Sequence, residues 1–416
     1  MFKIRAGWGQ VGNQSIGNYM TLANFSSVSH IPSNQTGNES GRFIGVAPTN
    51  IANPSLKWET TQQTNIGLDL GLWRGRFMFS AEAYKKTTFD LLQSKSIPGS
   101  SGYSTIAIND GVIENKGLEF TLEALPLKIG DFEWGINGNI SFNRNKLVSI
   151  SSTADTKEFW VEKDKKVEAR YFFGDKLGSN TRLICPANII IEGYPMGLFY
   201  GYKLDGIIQD GETGVPGTAG GTGPSAGHFN YVDINGNGYI DEEDKTIVGN
   251  PNPDFTYGFG TTLSWRNISL KAHFDGAVGF DICNLNATFL GLTDGTGNVW
   301  RDAYYKAWTP ENQDTIYPGL GMINSRDYNN VTSFNVEDGS YLRFASLSIN
   351  YTWNLKSRVV KSIDFGAAMR NLALFTKYRG FDPEVNSFGA NVNKMGCDLG
   401  SYPKSRSFSF DVKFTF

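Results

Sequence analysis

The sequence predicts an all-β protein, namely a transmembrane antiparallel β-barrel with long extracellular loops. Three observations lead to this fold class: the composition, an alternation of apolar and polar residues, and the exchange of short turns with long polar segments. The 416 residues include 29 Phe, 18 Tyr, 9 Trp and 48 Gly. Aromatic residues favour pleated strands and glycines favour turns, so the composition predicts sheets rather than helix bundles.

Apolar and polar side chains alternate along several long segments. In residues 254–265, Phe255, Tyr257 and Phe259 share one face, whereas Thr256 and Gly258 share the other. The last ten residues repeat the pattern, and their apolar face consists of Phe408, Phe410, Val412, Phe414 and Phe416. Because successive side chains of a strand point to opposite faces, each segment predicts a strand with one apolar and one polar face.

Strand length separates the two folds that use such strands. A soluble sandwich buries the apolar face against a second sheet, whereas a membrane barrel turns it to lipid. Sandwich strands usually have five or six residues, but several segments here have roughly twelve to sixteen. Strands that span a bilayer need about nine to eleven residues, and large barrels extend them further. The lengths therefore favour the barrel.

The connections give an independent indication of the same fold. Short turns are predicted at 73–76, 128–131, 194–197, 266–267 and 356–361. Long polar segments are predicted at about 10–57, 93–111, 150–185, 209–253, 283–338 and 377–402. Bacterial barrels have short turns on the periplasmic side and long loops outside. The two kinds of connection alternate strictly if a short strand is counted at 189–192, which gives about twelve strands.

Residues 233–244, with the sequence DINGNGYIDEED, have the spacing of a calcium-binding loop. Calcium prefers six to eight oxygen ligands, and such a loop needs a glycine at its sixth position, here Gly238. The candidate ligands of a structural Ca²⁺ ion are Asp233, Asn235, Asn237, the carbonyl of Tyr239, Asp241 and Asp244. The alternative is a hydrophilic turn, because Asn, Asp and Gly also favour turns.

Six phrases occur in an order that resembles one known family. They are NPSLKWETTQQTNIGLDLGL, NKGLEFTLEA, EGYPMGLFYGYKLDGIIQD, the calcium-type loop followed by GNPNPDFTYGF, VEDGSYLRFASLSINYTW and FTKYRGFDPEV. Together they are similar to the carboxy-terminal half of the SusC/RagA family of TonB-linked outer-membrane transporters. The resemblance covers nearly the whole chain.

The resemblance implies a barrel of about 22 strands in the outer membrane of a Gram-negative bacterium. It also implies an amino-terminal plug, a SusD-like surface lipoprotein as a lid, and import of glycans or peptides powered through a TonB complex. The first residues, MFKIRAGWGQ, lack the apolar segment of a signal peptide and predict a strand. We therefore expect residues 1–416 to be the carboxy-terminal part of the barrel, without signal peptide and plug, and 209–253 to be an extracellular loop carrying the calcium-type motif.

Two further sets of residues acquire expected roles from this resemblance. Phe408, Phe410, Phe414 and Phe416 resemble the carboxy-terminal signal that the barrel-assembly machinery reads, and they would also face lipid. Sugar rings stack on exposed aromatic side chains, so contacts with a glycan substrate or with the lid are expected at Trp160, Trp300, Tyr304, Tyr305 and Trp308. Packing within the loops is the alternative for each. A glycan is favoured over a peptide as the substrate.

Other function classes are excluded or kept as alternatives. A net charge of -3 provides no basic face for nucleic acid. Three scattered His and three scattered Cys, at positions 185, 283 and 397, predict no nucleophile–base pair, zinc site or disulfide framework, so no enzyme is expected. Asp382 and Glu384 are expected to shape their loop rather than to form a hydrolase pair. The remaining alternative is a calcium-stabilised, all-β surface adhesion or glycan-binding protein, in which a second sheet would cover the apolar face of residues 408–416.

Overall fold

The computed structural model describes residues 1–13, 21–30, 43–97, 99–103, 105–150, 154–162, 165–178, 182–218, 223–292, 297–356, 359–384, 387–389 and 391–416. Parts of all six predicted long loops lie outside these residues. No helix in these ranges is long and apolar enough to cross a membrane.

In the described part of the chain, ten long strands form one antiparallel sheet, in which each long strand pairs with the next long strand along the chain. They are 9 to 18 residues long. We number them in chain order: β1 (Phe2–Asn13), β2 (Glu59–Leu72), β3 (Phe77–Phe89), β4 (Val112–Ile129), β5 (Phe132–Ser149), β6 (Phe255–Trp265), β7 (Ile268–Val278), β8 (Tyr341–Asn354), β9 (Ser362–Thr376) and β10 (Ser407–Thr415). The prediction of a large antiparallel sheet is therefore confirmed.

The sheet has one apolar face that continues from strand to strand. Residues directly opposite each other on neighbouring strands share a face, so the register can be followed across the sheet. Phe259 of β6, Phe274 of β7 and Phe344 of β8 are such neighbours, and their rings stack with centroids 4.8 and 4.4 Å apart. The other face is polar, and on it Arg5 of β1 forms ion pairs with Asp69 (2.9 Å) and with Glu82 (3.0 Å).

The apolar face is exposed rather than covered. On β10 the ring of Phe410 is 81% exposed, and Phe408 and Phe414 are also exposed. Within the described ranges, β1 and β10 each pair on one side only, so the sheet is open. A soluble protein would bury so large an apolar surface. The alternative of an adhesion protein whose second sheet covers this face is therefore contradicted.

The prediction of about twelve strands was wrong by two. β5 and β6 are direct neighbours, so the predicted loops 150–185 and 209–253 belong to one connection that spans 150–254. The alternation predicts wall strands at 189–192 and after the 194–197 turn, but Asn188–Ile191 and Leu198–Tyr202 have only four and five residues. Both are completely buried, whereas a wall strand exposes one face. These two segments would run in opposite directions across the sheet. Without them, short and long connections therefore still alternate between the ten long strands.

The connection between β5 and β6 folds into a small closed barrel. Its five strands are Asp155–Glu162, Lys165–Phe173, Asn188–Ile191, Leu198–Tyr202 and Lys245–Gly249. Four of the five pairings are antiparallel, and a parallel bridge between Trp160 and Thr246 closes the barrel. Phe159, Ile189 and Leu198 are among the residues that fill it.

The remaining elements are short. Further strands are Phe25–His30, Phe43–Pro48, Leu92–Ser96, Thr105–Asn109, Leu204–Ile207, Gly217–Thr218, Phe229–Tyr231, Tyr239–Ile240, Asp281–Asn284, Val336–Asp338 and Cys397–Asp398. The α-helices are α1 (Leu285–Leu290), α2 (Arg301–Tyr305) and α3 (Ser325–Asn329). The 3-10 helices are Trp73–Gly75, Gly99–Ser101, Glu242–Asp244 and Val392–Lys394.

The buried apolar core lies in the connections and not in the large sheet. Among the buried hydrophobic residues that the structure describes, only Leu147 of β5 and Ala277 of β7 belong to the ten long strands. Most of the others fill the small barrel and two clusters in the segments between positions 150 and 397. The sheet therefore depends on an apolar environment outside the chain, whereas the connections have a core of their own.

Candidate functional site

The long connections lie at one end of the sheet. Short turns at 73–76, 130–131, 266–267 and 355–361 join one set of strand ends, and long connections at 14–58, 90–111, 150–254, 279–340 and 377–406 join the other. The last three of these long connections hydrogen-bond to one another. The amide of Tyr202 donates to the carbonyl of Val331, and the Asn188 side chain donates to the carbonyl of Met395. We call these three connections, 150–254, 279–340 and 377–406, the loop cap.

The calcium-type loop lies in the loop cap, and its first residue organises its backbone. One carboxylate oxygen of Asp233 accepts from the amides of Gly236 (2.7 Å) and Asn237 (3.2 Å), and the other accepts from Gly238 (2.7 Å). Gly236 and Gly238 have φ angles of +75° and +84°, a region that favours glycine. The loop has the tight shape that the spacing predicts.

The last residue of this loop faces inwards. Asp244 is fully buried, and its two oxygens accept from the backbone amides of Ile234 (2.9 Å), Asn235 (3.3 Å) and Asp241 (2.8 Å). With Asp241 it forms a capping box around the 3-10 helix Glu242–Asp244. Burial raises the pKa of the Asp244 carboxyl, and these hydrogen bonds only partly offset the rise. Its structural role is therefore to hold the two ends of the loop together.

None of the other candidate ligands is buried: Asn237 and Tyr239 are exposed, and Asp233, Asn235 and Asp241 are partly exposed. The Asn237 side chain donates to Asp241 (3.2 Å), and the carbonyl oxygens of the Asn235 and Asn237 side chains accept from backbone amides within the loop. Among the described residues no group of three or more His, Cys, Asp or Glu side chains could hold a metal ion. A cation here would therefore depend on amide and backbone oxygens as well as on carboxylates. The calcium site stays a prediction.

Trp160 is the predicted contact residue that lines a cavity. The cavity has a volume of about 230 Å³ and lies between the small barrel and the calcium-type loop. Lys157, Tyr200, Glu242 and Lys245 also line it. The ammonium group of Lys166 lies 5.6 Å from the centre of the Trp160 ring. The cavity combines an aromatic wall with charges of both signs.

Tyr304 and Tyr305 are exposed on α2, as contact residues must be. Their rings are perpendicular, with centroids 5.2 Å apart, and Tyr305 is 76% exposed. Trp300, which precedes α2, is partly buried, and the guanidinium of Arg379 lies 5.7 Å from its ring. The helix α2 that carries the two tyrosines has only five residues.

Trp308 is a core residue, so the predicted contact at this position was wrong. It is only 6% exposed and belongs to a cluster with Tyr202, Phe229 and Phe334. Its indole N–H donates to the side-chain oxygen of Gln209 at 2.9 Å. Inside a protein a tryptophan can pack its ring against apolar neighbours and hydrogen-bond its indole N–H. Aromatic character alone therefore does not separate a core position from a contact position.

The aromatic side chains of β10 lie where the alternation predicts. Phe408, Phe410 and Phe414 pair in register with Met369, Ala367 and Ile363 of β9 on the exposed apolar face. Phe416 follows the strand and is exposed as well. Recognition by assembly machinery stays a prediction, because this placement also serves contact with lipid.

A buried ion-pair network at the cap end of the sheet was missed in the sequence. Arg343 of β8 is only 4% exposed, and its Nη2 lies 2.7 Å from Asp382 and 2.9 Å from Glu384. Its Nη1 donates to the side chain of Asn371 at 2.6 Å. Lys404 forms a further ion pair with Glu384. Asp382 and Glu384 thus shape their loop as expected. Their partner, Arg343, is a single arginine within a long strand, and this is the signal in the sequence that could have indicated the ion pair.

A second buried pair, between Tyr231 and Asp327, connects two parts of the loop cap. The Tyr231 hydroxyl donates to the Asp327 carboxylate, which also accepts from the amide of Asn324 at 2.6 Å. Both side chains are buried. Burial raises the pKa of Asp327, and the hydrogen bond from Tyr231 opposes this rise.

Replacing Tyr231 by Phe should destabilise the loop cap by about 1.5–3 kcal/mol, because a buried carboxylate loses its hydroxyl donor. Tyr239→Phe is the matched control, since the Tyr239 ring is exposed; its effect should stay within about 0.5 kcal/mol. Urea unfolding of the detergent-solubilised receptor measures both. Equal losses in the two variants would show that the Tyr231 hydroxyl contributes nothing.

Comparisons with known proteins agree with this architecture. Residues 2–182 match the family described as TonB dependent receptor-like, beta-barrel. Across the whole chain, 36% of the aligned residues are identical to TonB-dependent receptor P3 of Formosa agariphila, and 28% to TonB-dependent receptor SusC of Bacteroides thetaiotaomicron. The chain covers 39% and 37% of these two proteins, so it spans about two fifths of the length of the curated relatives it matches.

A solved structure, described as that of the RagAB peptide transporter, has the same fold. Its TM-score to this chain is 0.74 at 24% identity, and the match covers 100% of this chain and 41% of that one. These relatives are named as receptors or transporters and not as enzymes, in agreement with the prediction.

Proposed function

This chain belongs to the β-barrel of the TonB-dependent receptors, a family of outer-membrane proteins, and is of the SusC/RagA type; from this premise we propose that the whole protein imports an oligomeric nutrient. The observation that carries the proposal is the two-faced sheet. Its apolar face is exposed across ten strands, and its polar face carries charged networks such as that of Arg5, Asp69 and Glu82. An apolar outside and a polar inside are the requirements of a barrel that conducts a hydrophilic solute through lipid.

The substrate class that we propose is a glycan, in preference to a peptide. The exposed rings of Tyr304 and Tyr305 give two perpendicular faces on which sugars can stack. Trp160 adds a third aromatic face, in the lining of a cavity that also contains charged hydrogen-bonding groups. A SusD-like surface lipoprotein would close over the loop cap, and a TonB complex would power import through parts of the protein outside this chain.

Growth of a deletion strain tests this proposal. The strain lacking the whole receptor gene should fail to grow on one oligosaccharide as sole carbon source and should grow normally on its monosaccharide and on oligopeptides. A plasmid carrying Tyr304→Ala and Tyr305→Ala should restore outer-membrane receptor but only weak growth on that oligosaccharide. Loss of growth on oligopeptides alone would replace glycan by peptide, and normal growth on every oligomer would remove the import function.

We further propose that residues 233–244 bind a structural calcium ion. The support is the set of side-chain oxygens on partly or fully exposed residues, Asp233, Asn235, Asn237 and Asp241, around two glycines with positive φ. The inward position of Asp244 means that the ion would be held by these four side chains and by the Tyr239 carbonyl. Such a site would fix the shape of the long connection next to the Trp160 cavity.

Calcium at a hundredfold excess over its dissociation constant should then stabilise the full-length receptor by about 2.7 kcal/mol. Thermal unfolding with calcium and with a chelator measures this difference. Asp233→Asn should abolish the calcium dependence, whereas Glu243→Gln, which removes an exposed neighbouring charge outside the ligand set, should preserve it. A wild-type receptor that melts identically in calcium and in chelator would leave the loop as a hydrophilic turn.

A further inference from the structure

The three cysteines, which are far apart in the sequence, converge in the loop cap. Cys283 and Cys397 are fully buried in one apolar cluster, and Cys185 packs against that cluster from its edge. Cys283 lies in the strand Asp281–Asn284, directly before α1, and Cys397 lies in the strand Cys397–Asp398. These two strands belong to different connections, on either side of the hairpin formed by β8 and β9.

Cys283 and Cys397 are direct neighbours in a parallel strand pair. Register partners point to the same side of a sheet, and neighbouring strands lie about 4.8 Å apart, which is within the range of roughly 4.4–6.8 Å between the Cα atoms of a disulfide. The neighbouring Cys397 thiol, together with burial, raises the pKa of Cys283. Cys397 also lies within 3.7 Å of the side-chain oxygen of Asn188, which orients its thiol.

We propose that Cys283 and Cys397 form a disulfide bond that ties the connection 279–340 to the connection 377–406. The loop cap of an outer-membrane receptor passes through the periplasm and faces the outside, where disulfides form and persist. The bond would close a covalent loop that contains β8 and β9. It would also hold the strand Asp281–Asn284 against the connection 377–406, and Tyr304 and Tyr305 lie in the same connection as that strand. It is independent of the identity of the imported nutrient.

The oxidation is a thiol–disulfide exchange that takes place before the cluster is packed. The thiolate of one cysteine attacks a disulfide of the oxidant, a protein or small-molecule disulfide, and releases one of its thiols. The thiolate of the second cysteine then attacks the mixed disulfide, forms the Cys283–Cys397 bond and releases the other thiol. The oxidant thereby gains two electrons and the two protons that the cysteines lose. In the folded protein the raised pKa of Cys283 and its burial would slow this exchange, so the bond belongs to assembly.

Mapping of thiols in the full-length receptor tests the proposal. Cells are treated with N-ethylmaleimide before lysis, and the receptor is purified from outer membranes and denatured with more of the same reagent in the absence of reductant. Mass spectrometry should then find the peptide of Cys283 joined to that of Cys397, with two hydrogens fewer than their sum, and the peptide of Cys185 alkylated. Cys283 and Cys397 that are both alkylated without reduction, or a bond to Cys185, would overturn the proposal.

Two variants sharpen the assignment. Cys283→Ala should reduce the joined peptide from nearly the whole population to none and should leave Cys397 alkylated. Cys185→Ala is the matched control, because it removes the third cysteine of the same cluster, and it should leave the joined peptide at its wild-type yield. Loss of the joined peptide in Cys185→Ala would contradict the assignment. The readout on the wild-type receptor needs neither variant to fold and does not depend on uptake, so the disulfide and the import function can fail separately.

Discussion

Replacing Ile349 by Arg is expected to remove most of the folded receptor from the outer membrane. Ile349 lies near the middle of β8 on the exposed apolar face, where its register partners are Leu270 of β7 and Ala367 of β9. An arginine at the lipid-facing midplane of a barrel costs about 2–4 kcal/mol, which is a large part of the stability of a typical fold. The amount of folded receptor in outer-membrane fractions, judged by its heat-sensitive mobility in detergent gels, measures the effect.

Asn350→Arg is the control for this prediction. Asn350 is the next residue of β8 and lies on the polar face, between Ser269 and Gly366. An arginine there faces the polar side of the sheet, so the folded fraction should stay close to that of the wild type. If both variants assembled equally well, the exposed apolar face would not be in contact with lipid.

The long strands could be predicted because each of them carries its own signal. In β6, β7 and β10 the alternation of apolar and polar residues is almost uninterrupted, and it places one face of each strand against lipid or against another sheet. The turns between them are equally local: Arg266 and Asn267, for example, separate two alternating segments that pair residue for residue. The fold class therefore needed no information about distant contacts.

The small barrel could not be predicted in the same way. Ile189, Ile190 and Ile191 are consecutive and all fully buried. A continuous apolar run of this kind shows neither the alternation of a wall strand nor the period of a helix, so its partners are decided by packing with segments that are distant in sequence. The prediction of a wall strand at this segment was wrong for this reason.

The candidate site shows the same division between local and distant contacts. The turns of residues 233–244 follow from the spacing of Asp, Asn and Gly, and the structure contains them. The burial of Trp308, by contrast, depends on Tyr202 and Phe334, which come from elsewhere in the loop cap. The pairing of Cys283 with Cys397 requires two connections to meet, and no local spacing encodes that meeting. Residues in the loop cap must therefore be judged by their contacts in three dimensions.

Arg343→Met should give the largest loss of stability in the loop cap, about 3–5 kcal/mol, because breaking a buried ion pair leaves the partner charge without compensation. Met has a similar length and fills the same space, so the change mainly removes the charge. Asp382, which is itself buried, would lose the 2.7 Å ion pair, and Glu384 would keep only Lys404. Thermal unfolding of the purified full-length receptor, followed by tryptophan fluorescence, measures the loss.

Two further variants show whether the buried charge is the cause. Lys404→Met removes an exposed partner of Glu384, and a surface ion pair of this kind contributes only about 0–1 kcal/mol. Asp382→Asn in the Arg343→Met background removes the uncompensated carboxylate. The asparagine keeps an oxygen for the backbone amide of Glu384, which in the wild-type protein donates to Asp382 at 2.9 Å. The double variant should therefore be more stable than Arg343→Met alone, and the coupling energy between the two substitutions should be roughly 0.5–3 kcal/mol. A double variant that is less stable than the single one would mean that the guanidinium acts by packing against its neighbours rather than by neutralising Asp382.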